Sequence, residues 1–277
     1  MFLYKKKGPE EDFRRNKIKE ITTPPMPLEL KYDSRWSDQA DDKFISDYNL
    51  LQNTVFQNGY SKELFKKKYL ENIYGPSIII VVYGNGKPIG ARAFWRNDIN
   101  GTEAYQPGDV CVLEECRGKG VFTEMTKRAF AMLPKDAIIY TFPNSNSFPA
   151  HLKMGNKLLA SYYPRLFTHK RYKEEHSLLL DKEYIGWWLA SRKDIRHIKR
   201  EGRFYLVIPY GLPFMYMVLA EVEREVAKEY PKSCIGIYFY RSTKTSFYNK
   251  NKRPLHIVCK ENNISYIPSW KVDSLGY

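Results

Sequence analysis

The sequence predicts a mixed α/β fold: a mostly antiparallel sheet flanked by helices over residues 28–164, then a second, smaller sheet domain of related topology over 165–277. Three observations carry this prediction. The apolar run Ser77-Ile-Ile-Ile-Val-Val-Tyr83 meets the turn Gly84-Asn85-Gly86-Lys87 and a returning strand from Pro88 to Trp95, and Asn-Gly is the pair that tight hairpins favour. A further strand, Ala104 to Leu113, runs straight into a glycine-containing basic loop and an amphipathic helix. Beyond about residue 165 strands again interleave with a few helices, without a strict sequence repeat or a low-complexity tract.

The elements follow in order. Residues 1–27 are charged and end in Thr23-Pro24-Pro25, which reads as an extended arm. Leu28–Tyr32 reads as a first strand. Apolar residues Phe44, Ile45, Tyr48, Leu51 and Val55 give residues 39–57 a helical period. A second helix, Lys62 to Ile73, starts after the N-cap residue Ser61. After the hairpin, Asn97–Gly101 is a turn. Val121–Leu133 is helical, with Phe122, Met125, Ala129 and Met132 on one face, and Pro134 stops it. Ala137–Phe142 is a short buried strand, followed by a polar turn at 143–147 and a short helix ending near Met154-Gly155. In the second half a helix is expected over Glu183–Arg192, with strands at Phe204–Ile208, Pro213–Val222, Cys234–Arg241 and Leu255–Cys259. A helix at 223–230 and an extended piece at Ser265–Val272 complete the reading.

Composition sets the bounds. The 277 residues suit one large unit or two small ones. Hydrophobic residues make up 43% and aromatics 15%, enough for a packed core and against wholesale disorder. The net charge of +14 suits an anionic partner such as a nucleotide cofactor, a nucleotide-linked substrate, nucleic acid or an acidic membrane, and equally a Lys-rich soluble surface. The four cysteines have no CxxC spacing, so reduced thiols and a cytoplasmic location are expected, and no metal-site spacing occurs. The opening MFLYKKKGPEEDF is too polar for a signal peptide, and no run of about 18 apolar residues occurs that would span a membrane.

The chemistry concentrates in Glu114-Glu115-Cys116-Arg117-Gly118-Lys119-Gly120-Val121-Phe122, between a strand and a helix. The first N–H groups of a helix lack intrahelical partners, and the helix dipole adds partial positive charge at that end. Glycines allow close approach and positive φ, and Arg117 and Lys119 add charge. A diphosphate is the natural guest. An ordinary basic turn with two glycines is the bland alternative. The chain has neither GxxxxGK[ST] nor a GxGxxG followed by the acidic residue of a dinucleotide fold.

The segment Asp109-Val-Cys-Val-Leu-Glu-Glu-Cys-Arg-Gly-Lys-Gly-Val-Phe resembles motif A of the GNAT superfamily of acyl-CoA N-acyltransferases, [QR]xxGx[GA]. Arg117 and Gly120 match, and Phe122 replaces the last Gly or Ala. The downstream order of helix, strand, Asn-rich turn and Lys153-Met154-Gly155 also matches, with Asn156 where the family commonly has Phe. The combination RGKG-V-F with FPN is similar to a bacterial branch tied to surface-polysaccharide synthesis. A second GNAT-like half is implied, where Asp181-Lys-Glu-Tyr-Ile-Gly-Trp-Trp resembles that branch.

The resemblance implies roles. Backbone groups of Val110, Cys111 and Val112 bond the pantetheine arm, and amides from Gly118 to Phe122, with Arg117, Lys119, Gly120 and Val121, hold the pyrophosphate. Asn144 and Asn146 bond pantetheine or acceptor, or simply cap the turn. Glu114 is the candidate base, or a solvated charge beside Glu115; Asp109 is the other carboxylate. His151 stands where many members carry a proton-donating Tyr, or is a helix surface residue, and Ser147 is a second donor. Cys116 lies beside a helix N-terminus and basic groups, which favours a reactive thiol. Trp187 and Trp188 suit an acceptor wall or a core. The implied activity is acetyl transfer from acetyl-CoA, without a metal, to a primary amine of a small molecule such as an amino sugar or a nucleotide-linked amino sugar. The alternatives are an aminoacyl-tRNA-dependent Fem-like transferase and a degenerate fold that only binds a partner.

Overall fold

The computed structural model describes residues 29–57, 59–99, 101–144, 147–167, 182–189, 195–200, 202–210, 212–222, 235–241 and 255–259. Strand β1 (Leu30–Trp36) pairs antiparallel with β2 (Ile78–Gly84) along its full length. It runs through the charged Asp33 and Arg35, beyond the expected Leu28–Tyr32, because each residue has a partner on β2 and the two charges pair at 2.8 Å. β2 turns into β3 (Lys87–Arg96) through Asn85 and Gly86, at φ 49° and 79°. Positive φ at both positions is the primed turn that matches strand twist. β4 (Ala104–Val112) follows antiparallel, and β5 (Ile138–Thr141) lies parallel to it.

Helices cover both faces of this half-sheet. α1 (Asp42–Phe56) begins where Asp41 accepts the Phe44 N–H at 2.8 Å. Its buried Phe44, Ile45, Tyr48 and Leu51 share a core with Ile79, Val81, Ala91, Ala93 and Trp95. α2 (Lys62–Phe65) is capped by Ser61, as expected, but widens into a π turn at Lys66–Leu70 instead of running to Ile73. α3 (Val121–Met132) lies on the other face, with Val121, Met125 and Ala129 against Ile78, Ile80, Val82 and Phe94. α4 is the short Phe148–Lys153.

Strand β6 (Lys157–Leu166) and strand β7 (Arg196–Arg200) are additions to the sequence reading. Pro164 and the scattered charges hide β6, and five residues with Arg or Lys at three positions hide β7. β8 (Arg203–Tyr210), β9 (Leu212–Val222), β10 (Ile235–Arg241) and β11 (Leu255–Cys259) lie where strands are expected. Lys182–Tyr184, α5, widens into a π turn at Ile185–Leu189, within the expected helix over 183–192. The arm, the 223–230 helix and the extended 265–272 piece lie outside the described residues.

The eleven strands of the described residues form one sheet in the order β1-β2-β3-β4-β5-β11-β6-β10-β9-β8-β7. Its two wings repeat one scheme. β2, β3, β4 and β5 pair antiparallel, antiparallel, parallel, and β7, β8, β9 and β10 do the same. A register irregularity marks β3/β4 between Ala91 and Ala93, and another marks β8/β9 between Leu206 and Val207. β11 inserts between β5 and β6, so the chain's last described strand lies at the sheet's centre.

Candidate active site

β4 and β5 pair only through Ala104 to Ile138 and Tyr105 to Ile139 among the described residues. Beyond that point the Thr141 hydroxyl donates to the Pro107 carbonyl at 2.8 Å, a side chain bridging a gap too wide for the ladder. The other edge of β5 is taken by β11 at Tyr140 and Thr141. The β4 edge from Gly108 to Val112 therefore has no strand paired on that side among the described residues. Val110, Cys111 and Val112, the expected pantetheine partners, lie on this stretch. Cys111 is buried on the α1 side, where burial pushes its thiol up to about 12.

The loop closes the end of that stretch. Leu113 donates to the Ile89 carbonyl at 2.9 Å, and Glu114–Cys116 form a single 3-10 turn. The Arg117 side chain donates back to the Val112 carbonyl at 3.1 Å. Gly118 and Gly120 have φ of 75° and 77°, a left-handed backbone that costs side-chain-bearing residues about 1–2 kcal/mol. A Cβ at either glycine would meet no atom within 4 Å, since it would project into open space. Gly120 caps α3, and the Glu124 N–H bonds the Gly120 carbonyl at 3.0 Å. The amides before Glu124 are the free first turn of the helix. Val112, Cys116, Arg117, Gly118, Gly120 and Val121, with Phe122 and Thr123, line a pocket of about 360 Å³. Of its lining residues Arg117 is exposed, as is Lys119 between the two glycines. Cys116 is buried beneath the loop in the α3 core.

Phe122 does not stand in the pocket alone. Its ring covers the Arg92 guanidinium at 4.4 Å and meets the His151 ring edge-on at 6.1 Å. Arg92, on β3, is 1% exposed. It donates to the Thr126 hydroxyl at 2.5 Å, and Thr126 in turn donates to the Phe122 carbonyl at 2.8 Å. Burial pulls the guanidinium down to about 9, still protonated at neutral pH. His151 is buried, and desolvation followed by the Arg92 charge lowers it to about 4. Asn156 Nδ2 lies 2.8 Å from His151 Nδ1, which makes Nδ1 the acceptor and leaves the proton on Nε2. Against the expectation of an imidazole that titrates near pH 7, His151 is a neutral donor packed inside α4.

On the opposite face, Asp109 sits at the β3/β4 bulge. Ala91 faces Cys111 and Ala93 faces Gly108, so Asp109 and Val110 together oppose Arg92. Asp109 has φ 44°, a strained value for a residue with a side chain. Its Oδ2 accepts from Lys68 Nζ at 2.8 Å, Tyr60 at 3.1 Å, Tyr48 at 3.3 Å and, in a very short bond, Tyr69. Gln52 donates to its carbonyl at 2.6 Å. Burial would raise this carboxyl, but the Lys68 charge and these hydrogen bonds outweigh it and hold Asp109 below its ordinary value. Burial and then the Asp109 charge push all three tyrosines well above theirs. Lys68 Nζ also lies 5.1 Å from the centre of the Trp95 ring.

The remaining expected residues scatter. Glu114 is exposed in the 3-10 turn. Asn144 and Ser147 form their own turn, in which the Ser147 amide and hydroxyl donate to Asn144 Oδ1 at 2.9 and 3.1 Å. Asn146 lies outside the described residues. Trp187 and Trp188 are buried against Trp95 in the core, with Leu206 and Leu219 of the second wing in the same cluster. Arg92 and the Asp109 ring of donors are absent from the sequence reading. The signal for Arg92 is a lone charge in the apolar strand Pro88–Trp95; for Tyr48, Tyr60 and Tyr69 no local signal exists, since they meet only through the fold. No helix of the described residues is long and apolar enough to cross a membrane.

The family model described as an acetyltransferase (GNAT) domain matches residues 38–155. A protein of unknown function from Enterococcus faecalis shares the fold at 10% identity and TM-score 0.55, over 88% of this chain and 74% of that one. A candidate acetyltransferase of Pyrococcus horikoshii does so at 11% identity and TM-score 0.50, over 86% and 92%. An acyl-CoA N-acyltransferase of Pseudomonas aeruginosa aligns at 16% identity and TM-score 0.40 over 49% of this chain and 91% of that one. No curated protein matches by sequence.

Proposed function

We propose that this protein, whose residues 38–155 match the acetyltransferase (GNAT) domain model, transfers an acetyl group from acetyl-CoA to a primary amine of a small molecule, an amino sugar or nucleotide-linked amino sugar. The observation that carries the reading is the adjacency of the open β4 edge and the loop pocket. An extended thioester arm adds to a strand edge through its amides, while its diphosphate occupies the first turn of α3. Gly118 and Gly120 line that pocket with left-handed backbone and no side chain, which leaves room for a ligand to approach their amides.

The amine nitrogen attacks the thioester carbonyl, a C–N bond forms, and the C–S bond breaks as CoA leaves as thiolate. A β4 amide beside the bulge stabilises the tetrahedral oxyanion. The attacking amine must shed a proton and the thiolate must gain one. Glu114 at the exposed turn passes the first to solvent. Asp109, held anionic by Lys68 and the tyrosines, is a poor base and instead fixes the bulge. The thiolate takes its proton from solvent, with the Ser147 hydroxyl at the start of α4 as the relay, gaining a proton from water as it gives its own; the Nε2–H of neutral His151 hydrogen-bonds the sulfur but keeps its proton. The amino-sugar acceptor rests on the basic charge of the chain and its aromatic content, both of which suit a nucleotide-linked sugar.

The test is a thermal melt with and without acetyl-CoA. Ligand at a hundred times its dissociation constant stabilises by about 2.7 kcal/mol. The shift is expected in the wild type and absent in Gly120→Glu, which puts a negative charge and a strained side chain on a residue that lines the pocket. No shift with acetyl-CoA or a longer acyl-CoA rejects the transferase reading.

A further inference from the structure

Arg92 is a full charge buried without a carboxylate. Among the described residues no ion pair includes it, its Nε has no hydrogen-bond partner, and desolvation is the sole cause that moves its pKa. A buried charge of this kind is unfavourable unless something compensates it. The position makes matters worse in the free protein. Through Thr126 the guanidinium is tied to the Phe122 carbonyl in the first turn of α3, close to the positive end of that helix.

Both costs have one remedy, an anion at the helix N-terminus. The pocket there is lined by Phe122 itself, the ring that covers Arg92. Phe122 thus lies between the buried cation and the pocket proposed above for the diphosphate. Arg117 also lines that space, but it is exposed to solvent, where water and salt screen it, as they screen the neighbouring exposed Lys119. Arg92 acts from a dry interior and is screened far less.

We propose that Arg92 is the inner counter-charge of the diphosphate pocket: it lies under Phe122, is held to the first turn of α3 by Thr126, and strengthens the binding of the phosphates of the acyl carrier. The proposal rests on the acyl-CoA reading above. Arg92 is a positioning residue with an electrostatic effect; it does not touch the reacting atoms.

The experiment titrates CoA into the full chain by calorimetry for the wild type, Arg92→Met, Arg92→Gln and Arg92→Lys, at about 0.1 and 0.5 M salt. Pantetheine, which lacks the phosphates, is the control probe. For Arg92→Met and Arg92→Gln the expected result is a CoA affinity on the order of tenfold weaker at both salts, with pantetheine binding unchanged. Their ligand-free melting temperature is expected to match or exceed the wild type, because an unpaired buried charge has gone. Arg92→Lys keeps most of the affinity. Equal CoA affinity in wild type and the neutral variants overturns the proposal, and so does an equal loss for CoA and pantetheine, which marks a packing role. If the wild type fails to bind CoA, the acyl-CoA reading itself falls. Should the neutral variants not fold, the wild-type Nε–H resonance of Arg92, identified by its loss in Arg92→Lys, decides. It shifts with CoA and not with pantetheine, and an unmoved resonance overturns the proposal.

Discussion

At the scale of single residues, charge and burial set the behaviour of the site. His151 has a folded pKa of about 4 against an ordinary value of 6.5, because burial and then Arg92 oppose its protonation. A depressed histidine is neutral in the folded state while the unfolded chain takes up a proton below pH 6.5. Stability is therefore complete above that value and falls as pH drops from 6.5 through 4, by up to about 3 kcal/mol. Urea unfolding of the wild type against His151→Gln across this window checks it; parallel curves for the two proteins reject it. The same logic applies to Asp109 with the opposite partner. Asp109→Asn leaves Lys68 buried and unpaired, a loss of about 3–5 kcal/mol. Lys68→Met leaves the carboxylate three tyrosine hydroxyls and costs less. The double variant is expected to be more stable than the sum of the two losses implies, since neither charge remains alone. Strict additivity in denaturant melts would show that the pair does not couple.

At the scale of elements, the parallel junctions β4/β5 and β9/β10 are the points where each wing opens. The second junction depends on a close approach. A Cβ on Gly236 of β10 would lie 2.8 Å from the Tyr216 ring of β9, whose hydroxyl accepts from Arg200 at 3.1 Å. Gly236→Ala forces that buried ring aside and is expected to cost about 1–3 kcal/mol. Tyr216→Leu in the same background recovers part of it if the clash is the cause, as thermal melts would show. The two wings diverge after the opened strand. β4 leads into Arg117-Gly118-Lys119-Gly120, whereas no glycine occurs between Leu212 and Ile235. One wing carries the glycine loop proposed to hold the diphosphate, and the other repeats its strand order without such glycines. The hairpin, the period of α1, the Ser61 cap of α2 and the strand-loop-α3 unit were legible in the sequence because turn chemistry, capping and apolar period are local. β6 was not, because Pro164 and its charges argue against a central strand and only pairing on both sides overrides them.

At the scale of the whole molecule, the last described strand ties the halves together. β11 pairs with both β5 and β6, and Cys259 joins Tyr140, Phe142 and Tyr162 in one cluster. A second cluster joins Phe44, Tyr69 and Trp95 to Trp187, Leu206 and Leu219. The full chain is therefore expected to unfold in a single transition. A chain truncated after residue 254 is expected to lose solubility or cooperativity together with any acetyl-CoA shift, because β5 and β6 are left with open edges. A soluble, cooperatively folding truncation would show that the halves stand alone. The proposed boundary near 164–165 falls within β6, the strand through which the sheet passes from one wing to the other. By itself the sequence determined the local units and the strand–glycine-loop–helix order on which the proposed anion site rests, since helix period, Asn-Gly turn chemistry and a glycine loop before a helix act over a few residues. The tertiary structure alone decided that Arg92 and His151 are buried, that three tyrosines and a lysine converge on Asp109, and that β11 closes the centre of the sheet. Those outcomes depend on which distant edge a strand finds and on which groups then cover a charge, and neither is encoded within a window of neighbouring residues.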